Sequence, residues 1–283
     1  MTPQPRFACW EDVPALKSLW QEAFGDSQDY VDFYFSNRFQ PQETLVLGQP
    51  ADAMLTLLPA GWAAGGEEMP VRYVYAVATR RSARSKGLST LLMRAADDWM
   101  KRCGVEAAFL VPAQKSLFGF YARQGFRRSV LMLDTLRLPK SGKSGGNVLL
   151  TPCSLEDFCR LRREFFSGIP HVSWDSKALE YAYREILETG GRILKVSSPF
   201  ECGYVVCSEY SQEHACPQAV LKECALSRRG LYEAAGALYR ELGAEVLLAR
   251  IPGESRDYGM AKAYTPRARR LLFSGAYLGL ALD

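Results

Sequence analysis

Between Tyr73 and Leu92 the chain reads YVYAVATRRSARSKGLSTLL, and few folds accommodate that order. The apolar run from Tyr73 to Ala78 predicts a strand. Downstream, Leu88, Leu91, Leu92, Ala95, Ala96, Trp99 and Met100 recur at the spacing of one buried helical face. Asp97, Asp98, Lys101 and Arg102 fall on the other side, and Gly104 supplies a stop. Arg80, Arg81, Arg84, Lys86 and Gly87 lie in the loop between strand and helix. A helix start leaves backbone N–H groups without internal partners and carries partial positive charge. Cations gathered around such donors predict a socket for a phosphorylated ligand, a diphosphate above all. Gly87 lacks a Cβ and lets phosphate oxygens approach its backbone. A solvated basic turn uses the same residue types, so the loop alone leaves both readings open.

After Gly104 comes a short strand, Ala107 to Val111, closed by Pro112. A second helical stretch follows, SLFGFYARQGF, from Ser116 to Phe126. The order is strand, Arg-x-x-Gly-x-small loop (Arg84, Gly87, Ser89), helix, strand, helix, Tyr-x-x-x-Gly-Phe (Tyr121, Gly125, Phe126). It resembles the GNAT superfamily of acetyl-CoA-dependent N-acetyltransferases over residues 7 to 138. Two positions depart from the family pattern: Ser85 stands where glycine is usual, and Ser89 where glycine or alanine is usual. Both replacements are small, so close approach of phosphates is preserved.

The resemblance implies an α/β fold of the α+β kind, a mixed, mostly antiparallel sheet flanked by helices. It implies acetyl-CoA as co-substrate, with its diphosphate on Arg84, Ser85, Lys86, Gly87, Leu88 and Ser89. Backbone groups of Val77, Ala78 and Thr79 would meet the thioester and the pantetheine arm, strand against extended ligand. Tyr121 would be the general acid for the departing sulfur; the residue alone reads equally as an aromatic packed beneath a turn. The chemistry asks for these roles: an amine attacking a thioester needs a polarised carbonyl, a neutralised thiolate and a proton acceptor. No base is evident. The candidates are Glu67 and Glu68 beside a Gly65-Gly66 turn and Glu22 and Asp26 near the first helices, all four expected at the surface. An amine facing a water chain needs no dedicated base. The acceptor is expected to be a primary amine of a small molecule or peptide. Trp20, Tyr30, Phe33, Tyr34 and Trp62 are candidates for its cleft, although helical spacing favours the core for Trp20, Phe33 and Tyr34.

With 283 residues the chain is long enough for two domains, expected at 1–139 and 148–283 with a linker over 140–147. The linker holds Gly142-Lys143-Ser144, but Arg137 stands where a nucleotide-binding loop needs glycine. The second half repeats the first. WEDVPAL (Trp10 to Leu16) is echoed by LEDFCRL (Leu155 to Leu161), and the helix Gln28 to Asn37 by Lys177 to Glu188. Strands Thr44–Leu47 and Met54–Leu58 are matched by Arg192–Val196 and Tyr204–Cys207. Val220–Leu226 answers Tyr73–Ala78, Leu231–Leu242 answers the first motif helix, Glu245–Ile251 answers Ala107–Val111, and Tyr258-Gly259-Met260 stands for the Gly-Phe ending. Only Ser227 to Gly230 separate strand and helix in this copy, too short to wrap a diphosphate. The second copy is therefore expected to be degenerate, so the arrangement resembles the tandem enhanced-intracellular-survival type of acetyltransferase. In that type a terminal carboxylate serves the active site; here Asp283 ends a different domain.

A net charge of +4 is too mild to argue for a nucleic-acid binder, and none is expected; no apolar run reaches membrane-spanning length. The N-terminus lacks the apolar core of a signal peptide, so a cytoplasmic location is expected. Cys202, Cys207, His214 and Cys216 lack the paired spacing of a structural zinc site, and no metal is expected. A homo-oligomer is left open. Arg267, Arg269 and Arg270 are read as a solvated helix face. The competing function is a catalytically inactive acyl-CoA-binding regulatory module that keeps the fold without turnover.

Overall fold

The computed structural model describes residues 4–140, 148–211 and 217–281. The chain opens with β1 (Arg6–Phe7), α1 (Val13–Phe24), α2 (Gln28–Asn37), β2 (Thr44–Leu47), β3 (Ala53–Ala64) and β4 (Glu67–Thr79). There follow α3 (Leu88–Arg102), β5 (Ala107–Leu110), α4 (Leu117–Arg123) and β6 (Arg127–Arg137). Next come β7 (Leu149–Pro152), α5 (Leu155–Phe166), β8 (His171–Ser173), α6 (Ser176–Glu188), β9 (Arg192–Ser197) and β10 (Cys202–Ser211). The chain finishes with β11 (Gln218–Ala225), α7 (Arg228–Leu242), β12 (Val246–Pro252), β13 (Arg256–Ala263) and α8 (Pro266–Phe273).

Two compact units result, and they interleave along the chain. The first takes the residues up to Trp62, then Glu68–Val130 and Tyr258–Ser274; the second takes Ala63–Glu67, Leu131–Asp257 and the residues from Gly275 on. A cut at residue 139 does not follow these units. The expected repeat of helices and early strands is present, but each half lends its last strand to the other unit. Tyr258-Gly259-Met260 is accordingly not a helix–turn ending: it lies in β13, where Met260 pairs with Leu110 of β5. The linker residues Ser141 to Asn147, with Gly142-Lys143-Ser144, and Asp283 lie outside the described residues.

In the first unit the strand order is β1-β2-β3-β4-β5-β13. β1, β2 and β3 pair antiparallel, β4 and β5 parallel, and β5 and β13 antiparallel. Alternation along β4 decides which layer each side chain joins. Val74 enters one core with Leu92, Met93, Ala96 and Met100 of α3 and with Leu45 and Leu55. Tyr73 and Tyr75 face the other way, where Trp20 lies 5.8 Å from Tyr75 and 4.4 Å from Tyr34. α1 and α2 cover that face. Trp20, Tyr34 and Trp62 are buried, so they belong to the core, not to a cleft surface.

In the second unit the order is β6-β12-β11-β10-β9-β7, with β11 and β12 parallel. Leu231, Ala234, Ala235 and Leu238 of α7 fill a core against Val205, Leu221 and Leu247. On the other face Glu223 of β11, fully buried, is met by Arg162 Nε of α5 at 3.1 Å and by the Tyr204 hydroxyl at 2.5 Å. Among the described residues no helix is long and apolar enough to cross a membrane.

Candidate active site

Parallel pairing of β4 with β5 runs over Val71, Arg72 and Tyr73 against Ala107, Ala108 and Phe109. β5 ends one residue later, at Leu110, whereas β4 continues to Thr79. Within that extension Ala76 sits at φ +49°, a left-handed conformation unusual for a residue with a Cβ. Such a residue turns the strand locally. β4 thus leaves its neighbour and presents Val77, Ala78 and Thr79 beyond the end of β5. An extended ligand needs such an edge in order to pair with backbone.

The loop then closes back on itself. Arg81–Ala83 forms one 3-10 turn, and Ser85 and Gly87 adopt left-handed conformations at φ +63° and +75°. The hydroxyls of Thr79 and Ser89 lie 2.8 Å apart, joining the end of β4 to the first turn of α3. Arg84 donates from Nε to the Thr79 carbonyl at 3.2 Å, spanning the same mouth.

α2, α5, α6, α7 and α8 each begin on a Ser, Asp or Thr whose side-chain oxygen accepts a backbone N–H of the first turn. α1, α3 and α4 have no side-chain cap, and of these α3 alone begins on a glycine, Gly87. Its first-turn donors are left to water or to a ligand, and the exposed cations Arg81, Arg84 and Lys86 stand nearby. A Cβ built on Gly87 would meet nothing within 4 Å, so the space before the helix is open.

Arg80 plays a different part from the one its place in the loop predicts. Its guanidinium donates to Glu22 at 3.1 Å and its backbone N–H to the Asp52 carbonyl at 2.8 Å. The other Glu22 carboxylate oxygen accepts the Arg81 backbone N–H at 2.5 Å. Glu22, weighed from the sequence as a base and expected at the surface, is thus the strut that ties α1 to the loop. Asp26 accepts from the Trp20 indole N–H at 2.6 Å. Glu67 and Glu68 are exposed beside the Gly65-Gly66 turn.

Tyr121 lies on α4 and is buried in the core that holds Leu88 and Leu92 of α3. Burial pushes its phenol up to about 12, so it carries its proton throughout the neutral range. The Gly-Phe ending explains how its backbone is fixed. Phe126 N–H donates to the Tyr121 carbonyl at 3.1 Å and Gly125 N–H to the Ala122 carbonyl at 3.0 Å. With Gly125 at φ +90°, this is a Schellman closure in which a left-handed residue ends the helix. Gln124 reaches from the same turn to the Thr90 hydroxyl at 3.5 Å, linking α4 to the start of α3.

The equivalent point in the second unit is filled by the protein itself. Ser227 caps α7 by accepting from Gly230 N–H at 3.0 Å, and the Glu201 carboxylate accepts from the Ser227 N–H and hydroxyl, both at 2.7 Å. A Cβ on Gly230 would stand 2.1 Å from Glu201. An internal carboxylate therefore takes the place of a bound anion. Cys202 is exposed and Cys207 fully buried, while His214 and Cys216 lie outside the described residues. Among the described residues no cluster of His, Cys, Asp or Glu could hold a metal ion.

A strand that parts from its parallel neighbour, a helix start without a side-chain cap behind a basic turn, and a buried phenol come together in the first unit. Residues 4–129 match the family model of the acetyltransferase (GNAT) domain, and the chain carries such a domain. The fold likeness extends further. A GCN5-related N-acetyltransferase from Anabaena variabilis superposes with TM-score 0.73 at 15% identity, over 93% of this chain and 73% of its own. A probable N-acyltransferase from Enterococcus faecalis gives 0.72 at 13% identity over 93% and 73% of the two chains. Eis1 from Mycobacterium abscessus gives 0.67 at 13% identity over 92% and 73%. At such identities the likeness is one of fold. No curated protein matches the chain.

Proposed function

We propose that this protein is an N-acetyltransferase that moves the acetyl group of acetyl-CoA to a primary amine of a small molecule or peptide. The observation that carries this reading is the uncapped start of α3, open in front of Gly87 and placed directly after a strand that has parted from β5. A cation-flanked helix start without a side-chain cap suits a diphosphate, and a strand end that has run past its β5 partner suits a pantetheine chain.

In this reading Arg84, Ser85, Lys86, Gly87, Leu88 and Ser89 hold the diphosphate, and Val77, Ala78 and Thr79 align the arm. A backbone N–H of that segment polarises the thioester carbonyl. The acceptor nitrogen forms a bond to the carbonyl carbon while the carbon–sulfur bond breaks. Tyr121, protonated because it is buried, donates its hydrogen to the leaving sulfur and regains one from the amine by way of solvent. Glu22 is engaged with the loop, and no side chain is assigned as base.

Thiol release from acetyl-CoA across a panel of primary amines tests the reading. At least one amine should be turned over by the wild-type chain and not by Tyr121→Phe, with coenzyme A still bound by both. Coenzyme A binding with no thiol release for any amine would favour the inactive binding module instead.

A further inference from the structure

The closing strand of the catalytic unit comes from far along the chain, and one of its side chains reaches the helix that carries Tyr121. Lys262 of β13 donates from Nζ to the Gln124 carbonyl at 2.6 Å and is ion-paired with Asp97 of α3. Both partners of that pair are largely buried, with side chains 19% and 13% exposed. Asp97 also accepts from the Tyr264 hydroxyl at 2.6 Å, so β13 and its following residue grip α3 at two oxygens. The sequence placed Asp97 on a solvated helix face; its partners arrive from more than a hundred and sixty positions away.

The Gln124 carbonyl is the group that needs such a donor. The Schellman closure satisfies the Tyr121 and Ala122 carbonyls, while Gln124, as the C-cap, projects a carbonyl at the negative end of the helix. A lysine ammonium supplies both the hydrogen bond and the opposite charge. Gly125 makes room for it: a Cβ there would lie 3.2 Å from Lys262 Cε. The Phe126 ring stands 5.8 Å from Lys262 Nζ. Both residues of the Gly-Phe ending therefore serve the same lysine.

We infer that Lys262 is a positioning residue for Tyr121: it locks the tyrosine helix α4 to the coenzyme helix α3, so the second half of the chain completes the active site of the first. The inference rests on the acetyltransferase reading for its effect on turnover, and on geometry alone for its effect on α4. Lys262 touches no reacting atom. Its loss should therefore lower kcat and leave coenzyme binding in place, whereas a general loss of structure would weaken both.

The test uses the full chain with Lys262→Met and Lys262→Arg. For Lys262→Met, kcat should fall at least about tenfold, the value of roughly one charge-assisted hydrogen bond, with KM for acetyl-CoA within about twofold of wild type. Lys262→Arg keeps the charge and should recover most of kcat. Hydrogen exchange is read on the same proteins. Amides of Gln124, Gly125 and Phe126 should lose protection in Lys262→Met and regain it in Lys262→Arg, while α7 is unchanged. If wild type turns over acetyl-CoA and Lys262→Met matches it in kcat, the positioning role is overturned. If wild type shows no turnover, the acetyltransferase reading fails, and unchanged exchange at residues 124–126 would then overturn the clamp separately.

Discussion

Gly87→Ala separates a glycine kept for its backbone from one kept for a ligand. Gly87 has φ +75° and ψ 11°, and an added Cβ would meet no protein atom within 4 Å. Folding therefore bears only the cost of a left-handed alanine, about 1–2 kcal/mol, partly offset by the stiffer unfolded chain. A net cost of about 1 kcal/mol lowers the melting temperature by roughly 2–4 °C in a protein of this order of size. Binding is a different matter. A phosphate oxygen held by first-turn N–H groups sits about 2.9 Å from nitrogen, and a methyl group on the N-cap intrudes on that space. We expect coenzyme A affinity to fall by more than about tenfold, at least 1.4 kcal/mol. Calorimetric titration beside a thermal melt reads both numbers. Gly230→Ala serves as the contrast: its Cβ would stand 2.1 Å from the Glu201 carboxylate and displace it from Ser227, in the second unit, so coenzyme affinity should hold. A Gly87→Ala protein with the small melting shift and wild-type affinity would refute the placement of the diphosphate.

Glu22→Ala removes the acceptor of the Arg81 N–H and the partner of Arg80, a half-buried pair worth about 1–2 kcal/mol with its backbone bond. KM for acetyl-CoA should rise about fivefold to thirtyfold with kcat little changed, measured by steady-state thiol release. For Tyr121, the folded state retains a proton up to about pH 12 that the unfolded chain releases near 10. Its contribution is thus fully present below about pH 10 and is lost as pH rises toward about 12, so Tyr121→Phe should show a shallower alkaline decline in urea melts. Tyr204 and Tyr264 titrate in the same sense, and the difference between the two proteins isolates Tyr121. In the second unit, Arg162→Met leaves Glu223 buried without its cation and should cost about 3–5 kcal/mol in denaturant unfolding.

Local pattern carried much of the fold. α2 runs from Gln28 to Asn37 and β2 from Thr44 to Leu47, where the spacing places them, and α3 begins at Leu88 because the apolar period begins there. Periodicity reports which side of an element is buried and says nothing of what buries it. Met93 joins the core of α3 outside the predicted stripe, and Asp97 is claimed by Lys262 and Tyr264. Glu22 and Arg80 are 58 positions apart, with no local motif joining them. The exchange of closing strands was invisible for a related reason: β6 and β13 have the composition of strands in either unit, and only tertiary pairing chooses. Ala76 gave no warning either, since a left-handed alanine looks like any other residue of a strand. Glu201 is the clearest case. The short Ser227–Gly230 connection predicted a copy without room for a diphosphate, but only the structure shows a carboxylate filling the helix start.

In the proposed mechanism the basic turn before α3 receives the pyrophosphate of a coenzyme that runs along the end of β4. A hydrogen-exchange footprint of the full chain with and without saturating acetyl-CoA tests this directly. The predicted result is new protection confined to the amides from Val77 to Ser89 and the first turn of α3. Protection centred on Ser227 to Leu231 of the second unit, or none anywhere, would contradict it.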